Sequence, residues 1–171
     1  MKKKDTFPMY ALLAGLLMII ASVTIYVTNS MFVKGLQYVP YLLLLLALIL
    51  NARAYSKAND GFVTFGNVFG SGFKLTAIVT AIMIIWCFAS LYIFPEMKDK
   101  IMENTQKEMA KQQKMTDEQM EMALNVTKKY WTYFLVGGTL FMTFFIGTIF
   151  SLIAAATAPK KGERPFTADN F

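Results

Sequence analysis

At 171 residues, with 56% hydrophobic composition and a mean hydropathy of +0.44, the chain is too apolar for an ordinary soluble domain and short enough to form one unit. Its formal net charge is +6, yet the basic residues stand in short groups beside apolar runs, which is the pattern of anchors against anionic lipid and speaks against a nucleic-acid partner. The lack of histidine and the single cysteine, Cys87, remove the commonest general base and metal ligand, a thiolate cluster and an intrachain disulfide.

The first predicted element follows Lys2, Lys3 and Lys4. Residues 6–33 contain no Lys, Arg, Asp or Glu, and the span proper is placed at about 9–29. A basic start before an apolar run also describes a secretory signal peptide, but this run is too long and lacks a small-x-small cleavage site, so it reads as a retained helix. The second run, 35–52, holds Gln37 and Pro40 near its start and gives a span at 36–52. Without it, three spans would put the two basic tails on opposite sides of the membrane, against the usual placement of positive charge. The third span is placed at 73–94, with Lys74 at its start and a charge-free run over 75–95, and the fourth at 131–156, inside the charge-free run 130–159.

Between the second and third spans lies an uncharged Phe/Gly segment, 61–73, too short to cross a bilayer. Phe62, Phe65, Phe69 and Phe73 recur at three and four residues, and Gly66 with Gly70 forms a GxxxG step. The spacing predicts an interfacial helix, with a re-entrant turn as the alternative because of the four glycines.

Residues 95–130 form the one substantial region outside the bilayer. From Glu96 to Lys129 it carries seven acidic and seven basic residues. Glu96 with Lys100 and Glu103 with Lys107 stand at i,i+4, acid first, and Glu108 with Lys111 at i,i+3, which describes a solvated helix face. Pro95 should interrupt the helix that continues from the third span. Thr116 and Gln119 form a capping-box pattern for a second arm, whose Met120, Ala123, Leu124, Thr127, Trp131 and Phe134 share one face. The expectation is a helical hairpin. Met97, Met102, Met109, Met115, Met120 and Met122 lie in it; without His or Cys nearby they read as packing rather than as copper(I) ligands.

In the fourth span Gly147, Ser151 and Ala155 repeat at i,i+4, as Ala11 and Gly15 do in the first. Such stripes let helix backbones approach, within one chain or between two. A basic tail, 159–171, follows.

Four spans place both termini and the loop after the second span on one side, with nine Lys and Arg there against eight on the other. The Lys triplet beside the first helix and the lone Lys34 in the first opposite loop point to both termini being cytoplasmic.

Gly61-Phe62-Val63-Thr64-Phe65-Gly66-Asn67-Val68-Phe69, Ile93-Phe94-Pro95, Met115-Thr116-Asp117-Glu118-Gln119-Met120 and Ser151-Leu152-Ile153-Ala154-Ala155 before the basic tail follow one another in an order and spacing that matter more than any of them alone. Together they resemble a family of small four-span membrane proteins of Bacteroidota, domain-of-unknown-function family 4199. The resemblance covers most of the chain. It implies architecture and an envelope location, and brings no catalytic residues with it.

The expected fold class is all-α: an integral membrane four-helix bundle whose third and fourth helices extend into an extramembrane hairpin. Charge-free spans argue against proton coupling and intramembrane proteolysis. Thr24, Thr76, Thr80, Thr143 and Ser151 could line a weakly polar path, but interhelical hydrogen bonding is the favoured reading. The chain is therefore expected to be a non-catalytic protein of the bacterial inner membrane, without cofactor or metal. It would engage the lipid bilayer, and a membrane or periplasmic protein partner or its own copies, through the hairpin; a small uncoupled transporter or oligomeric pore is the alternative. Candidate interaction or packing residues are Phe62, Phe65, Gly66, Phe69, Gly70, Pro95, Met120, Leu124, Gly147, Ser151 and Ala155.

Overall fold

A computed structural model of the chain describes residues 4–112 and 116–161. Lys2, Lys3, Lys114, Met115 and the tail beyond residue 161, with Arg164, lie outside them. Among the described residues there are six α-helices and no strand: α1 (Phe7–Val27), α2 (Val39–Ala58), α3 (Phe65–Ile93), α4 (Met97–Gln112), α5 (Asp117–Lys129) and α6 (Trp131–Thr157). Four segments are long and apolar enough to cross a membrane: α1, α2 with the 3-10 turn Leu36–Tyr38 before it, α3 and α6. The chain is a multi-pass, all-α membrane protein. Its outward surface agrees, since Leu12, Leu13, Leu16, Leu17 and Ile20 of α1 are all exposed, a patch that water would penalise and acyl chains would cover.

Two compact units divide the chain: Met1–Ile82 with Met142–Phe171, and Met83–Phe141. In the first, α1, α2, the start of α3 and the end of α6 form a bundle. Pro8 and Pro40 sit in the opening turns of α1 and α2, where a missing N–H costs nothing. Met18, Leu44, Leu48, Leu75, Val79 and Ala155 fill the core.

The Phe/Gly segment is not a separate interfacial element. From Phe65 onward it is the first two turns of α3, which runs unbroken for 29 residues. At 1.5 Å per residue this is about 43 Å, well beyond a hydrocarbon core of about 30 Å. Thr64 and Asn67 start the helix reciprocally: the Thr64 N–H and hydroxyl both donate to Asn67 Oδ1, at 3.1 and 2.9 Å, and the Asn67 N–H points back to Thr64 Oγ1 at 3.4 Å. Glycine's helix penalty, about 1 kcal/mol in water, is offset at Gly72 by the close packing described below. Only residues 61–64 are loop.

In the second unit the end of α3 and the start of α6 bury Met83, Cys87 and Trp131. The helix breaks at Phe94, Pro95 and Glu96 before α4 begins, since proline cannot donate to the preceding turn. Thr116 caps α5 with both arms of a capping box: its Oγ1 accepts from the Gln119 N–H at 3.3 Å and its own N–H donates to Gln119 Oε1 at 3.1 Å. The α5 helix stops one residue short of α6, at Tyr130.

Candidate functional site

Three regions of chain far apart in sequence meet at one end of the first unit. The Asn59 side chain works as a peptide mimic there, accepting from the Lys4 N–H at 3.0 Å and donating to the Lys4 carbonyl at 3.1 Å and to the Tyr55 carbonyl at 2.8 Å. Asp60 and Gly61 then turn the chain with φ of 57° and 79°, the left-handed region in which a residue without Cβ is least strained. This turn aims the Gly61 carbonyl at the Lys161 N–H, 2.7 Å away, while the Ser56 hydroxyl donates to the Pro159 carbonyl. The chain before α1, the turn after α2 and the segment after α6 are thus clasped together.

Lysines around this clasp have different duties. Lys160 Nζ donates to the Ala155 and Ala158 carbonyls, at 2.5 and 2.9 Å, neutralising the carbonyl end of α6. Lys161 Nζ lies 5.5 Å above the Phe62 ring and Lys74 Nζ 5.4 Å above Phe7. Arg53 and Lys57 are exposed and border a cleft of about 360 Å³ with Asp60 and Lys161.

Inside the unit, α3 and α6 interlock. Gly72 faces Ser151, and Gly147 faces Thr76, so that each helix offers a hydroxyl-bearing side chain to a glycine of the other. An added Cβ would stand 3.2 Å from Ser151 Oγ at Gly72 and 2.5 Å from Thr76 Cγ2 at Gly147. Thr76 and Ser151 share a hydrogen bond of 3.2 Å, and Ser151 also donates to the Gly147 carbonyl at 2.7 Å. Gly15 receives Ile82 of α3 in the same manner. Toward the clasp, buried Asn51 accepts from Thr6 Oγ1 at 2.8 Å and donates to Ser71 Oγ at 3.1 Å. The hydroxyls that could have lined a path are largely engaged in this way: Thr80 donates to the Thr76 carbonyl and Thr24 to the Ile20 carbonyl.

Gly147, Ser151 and Ala155 are thereby buried inside the chain, against its own helices. Gly66 and Gly70 are not seats for another helix of this chain: a Cβ at Gly70 would meet nothing within 4 Å, and one at Gly66 only Thr64 Oγ1 at 4.0 Å. The GxxxG spacing is present, but the backbone approach falls on Gly72. Phe65 and Phe69 stack at 6.4 Å, Phe69 and Phe73 follow at 5.9 Å, and Phe73 meets Phe144 of α6 edge-on at 5.4 Å. Phe62 lies in the clasp, beneath the Lys161 ammonium.

In the second unit α4 and α5 border a groove of about 300 Å³, with Met102 and Leu124 among its lining and Asp99, Glu103, Glu121 and Lys128 around it. Met120 is half-buried and Pro95 exposed. Glu103 pairs with Lys107 at 2.6 Å and Glu108 with Lys111 at 2.8 Å. The Lys107 ammonium, by its hydrogen bond and its charge, holds the Glu103 carboxyl below the usual range. Among the described residues no three His, Cys, Asp or Glu side chains converge as a metal site.

Sequence reasoning missed Asn51, Asn59, Gly61 and Gly72 as structural determinants. An asparagine one turn from the charged end of an apolar run, and an Asn-Asp-Gly sequence after it, were the available signals.

The family described as "Protein of unknown function (DUF4199)" matches residues 9–160. The match takes in all four apolar helices and the hairpin, and the chain belongs to this family. No curated protein and no solved structure matches it.

Proposed function

We propose that this member of the family is a non-catalytic membrane scaffold, with the α4–α5 hairpin as its docking element for an envelope protein or a second copy of the chain. The observation that carries the reading is the α4–α5 groove, whose lining combines half-buried Met102 and Leu124 with exposed Asp99, Glu103, Glu121 and Lys128. An apolar centre with a polar rim is the anatomy of a protein contact. The ion pairs of the hairpin are local, at i,i+4 and i,i+3, and support the helix rather than a reaction.

The bacterial inner membrane is the compartment proposed, with the clasped end cytoplasmic. Lys4, Arg53, Lys57, Lys74, Lys160 and Lys161 gather around that end, in keeping with the cytoplasmic excess of positive charge. The hydrogen bonds that Thr24, Thr76, Thr80 and Ser151 make internally favour this reading over an uncoupled transporter or pore.

Purification of the full chain in mild detergent, with identification of co-eluting proteins, tests the proposal. A stoichiometric partner, or a dimer, that is lost on Leu124→Asp is expected. Solute flux through liposomes containing only this protein, with no partner and no dimer, would replace the scaffold by a pore. Thiol labelling at Gln106→Cys in a Cys87→Ser background should occur from outside the cytoplasmic membrane only; labelling from the cytoplasm alone refutes the orientation.

A further inference from the structure

We infer that the cleft beside the clasp is a binding site for the phosphate headgroup of an anionic phospholipid, with Arg53, Lys57 and Lys161 as its cationic walls. It is framed by the last turns of α2, the turn after them and the segment after α6. Arg53 and Lys57 stand one turn apart on α2, and Lys161 is brought opposite them because its own N–H is tied to the Gly61 carbonyl at 2.7 Å. The three cations face one carboxylate, Asp60, across a volume of about 360 Å³. That space holds roughly a dozen waters at about 30 Å³ each, enough for a glycerophosphate group. Lys160 takes no part, since its ammonium is spent on the α6 carbonyls.

A phosphate could come free in solution or attached to a lipid, and the surface below the cleft decides for the lipid. Leu42, Leu46 and Leu50 are exposed and lead at three- and four-residue steps along α2 to Arg53 and then Lys57. Residues three and four apart share a helix face, so the cationic cleft is the head of an apolar strip that an acyl chain can cover. The match of a charged head to an adjoining apolar strip is that of a phospholipid, and basic pockets between membrane helices are suited to such headgroups. Cations on long stems can reach the interface from one turn inside an apolar layer, and Arg53 and Lys57 both have such stems.

The test uses the full chain reconstituted in nanodiscs of phosphatidylcholine with a minor share of phosphatidylglycerol, followed by native mass spectrometry of the lipid kept on release. One phosphatidylglycerol per chain is expected in preference to phosphatidylcholine. The double variant Arg53→Gln, Lys57→Gln should weaken this retention roughly 25-fold, about a factor of five for each juxtamembrane cation. Lys111→Gln with Lys129→Gln removes the same charge from the hairpin, away from both the cleft and the α4–α5 groove, and should leave retention unchanged. Equal retention of the two lipids, or equal loss in both double variants, overturns the proposal. Glycerophosphoglycerol, the headgroup without acyl chains, and inorganic phosphate should fail to displace the lipid; displacement by either would make the cleft a site for free phosphate and overturn the assignment to lipid.

Discussion

Replacing Gly147 by alanine adds one methyl group where the helices leave no room for it. The new Cβ would lie 2.5 Å from Thr76 Cγ2 and 3.3 Å from Leu44 Cδ2. Carbon atoms rest at about 3.5–4.0 Å, so α3 and α6 must separate by about 1 Å or Thr76 must rotate. Rotation breaks the 3.2 Å hydrogen bond to Ser151, and separation loosens the Gly72–Ser151 contact on the same seam. Overpacking of this size costs about 1–3 kcal/mol. On the same helix, a Cβ at Gly137 or Gly138 meets nothing within 4 Å, so alanine there should be neutral or raise stability by up to about 1 kcal/mol through helix propensity. The assay is equilibrium unfolding in detergent micelles followed by helical circular dichroism. Thr76→Ser removes the offending methyl and keeps the hydroxyl, and in the Gly147→Ala background it should restore more than half of the loss. A Gly147→Ala protein as stable as the parent, or a loss that Thr76→Ser does not relieve, would refute the interlock.

Asn51→Ala leaves Thr6 and Ser71 without their shared partner; a double-mutant cycle with Ser71→Ala in the same unfolding assay should give a coupling of about 0.6–1.7 kcal/mol, the range for hydrogen bonds between membrane helices. Thr116→Ala removes one arm of the α5 capping box and should cost about 1 kcal/mol locally, seen as faster amide exchange in the first turn of α5 with α6 unchanged. Because the Glu103 carboxyl is held below its ordinary value by Lys107, the pair's support of α4 is present above the ordinary glutamate range and is lost as pH falls through the depressed value. Carboxyl carbon shifts of Glu103 should report that low midpoint, and Lys107→Gln should return it toward the ordinary range.

The all-α membrane character could be read from charge-free runs, and the breaks beside Pro95 and before Asp117 from local chemistry, because proline and a capping box act within one turn. The Phe/Gly segment could not. Its glycine content argues against a helix when only propensity is counted, whereas Ser151, 79 residues further along the chain than Gly72, supplies the close contact that favours one. The same limit explains why Gly66 and Gly70 looked like a packing step: spacing identifies a smooth helix face but not the neighbour that lies against it. The lysine positions point to a basic membrane edge, yet only the structure shows that the Lys160 ammonium is spent on the α6 carbonyls while Lys161 is tied down by its backbone N–H.

Synthesis proceeds from the N-terminus, and the clasp records that order. Asn59 can grip Lys4 as soon as the second helix has entered the bilayer, but Ser56 and Gly61 must wait for Pro159 and Lys161, about one hundred residues later. Closure of this end therefore waits for the segment after α6. A chain halted within α6 would carry a finished α1–α2 pair whose Gly61 carbonyl still lacks the Lys161 N–H.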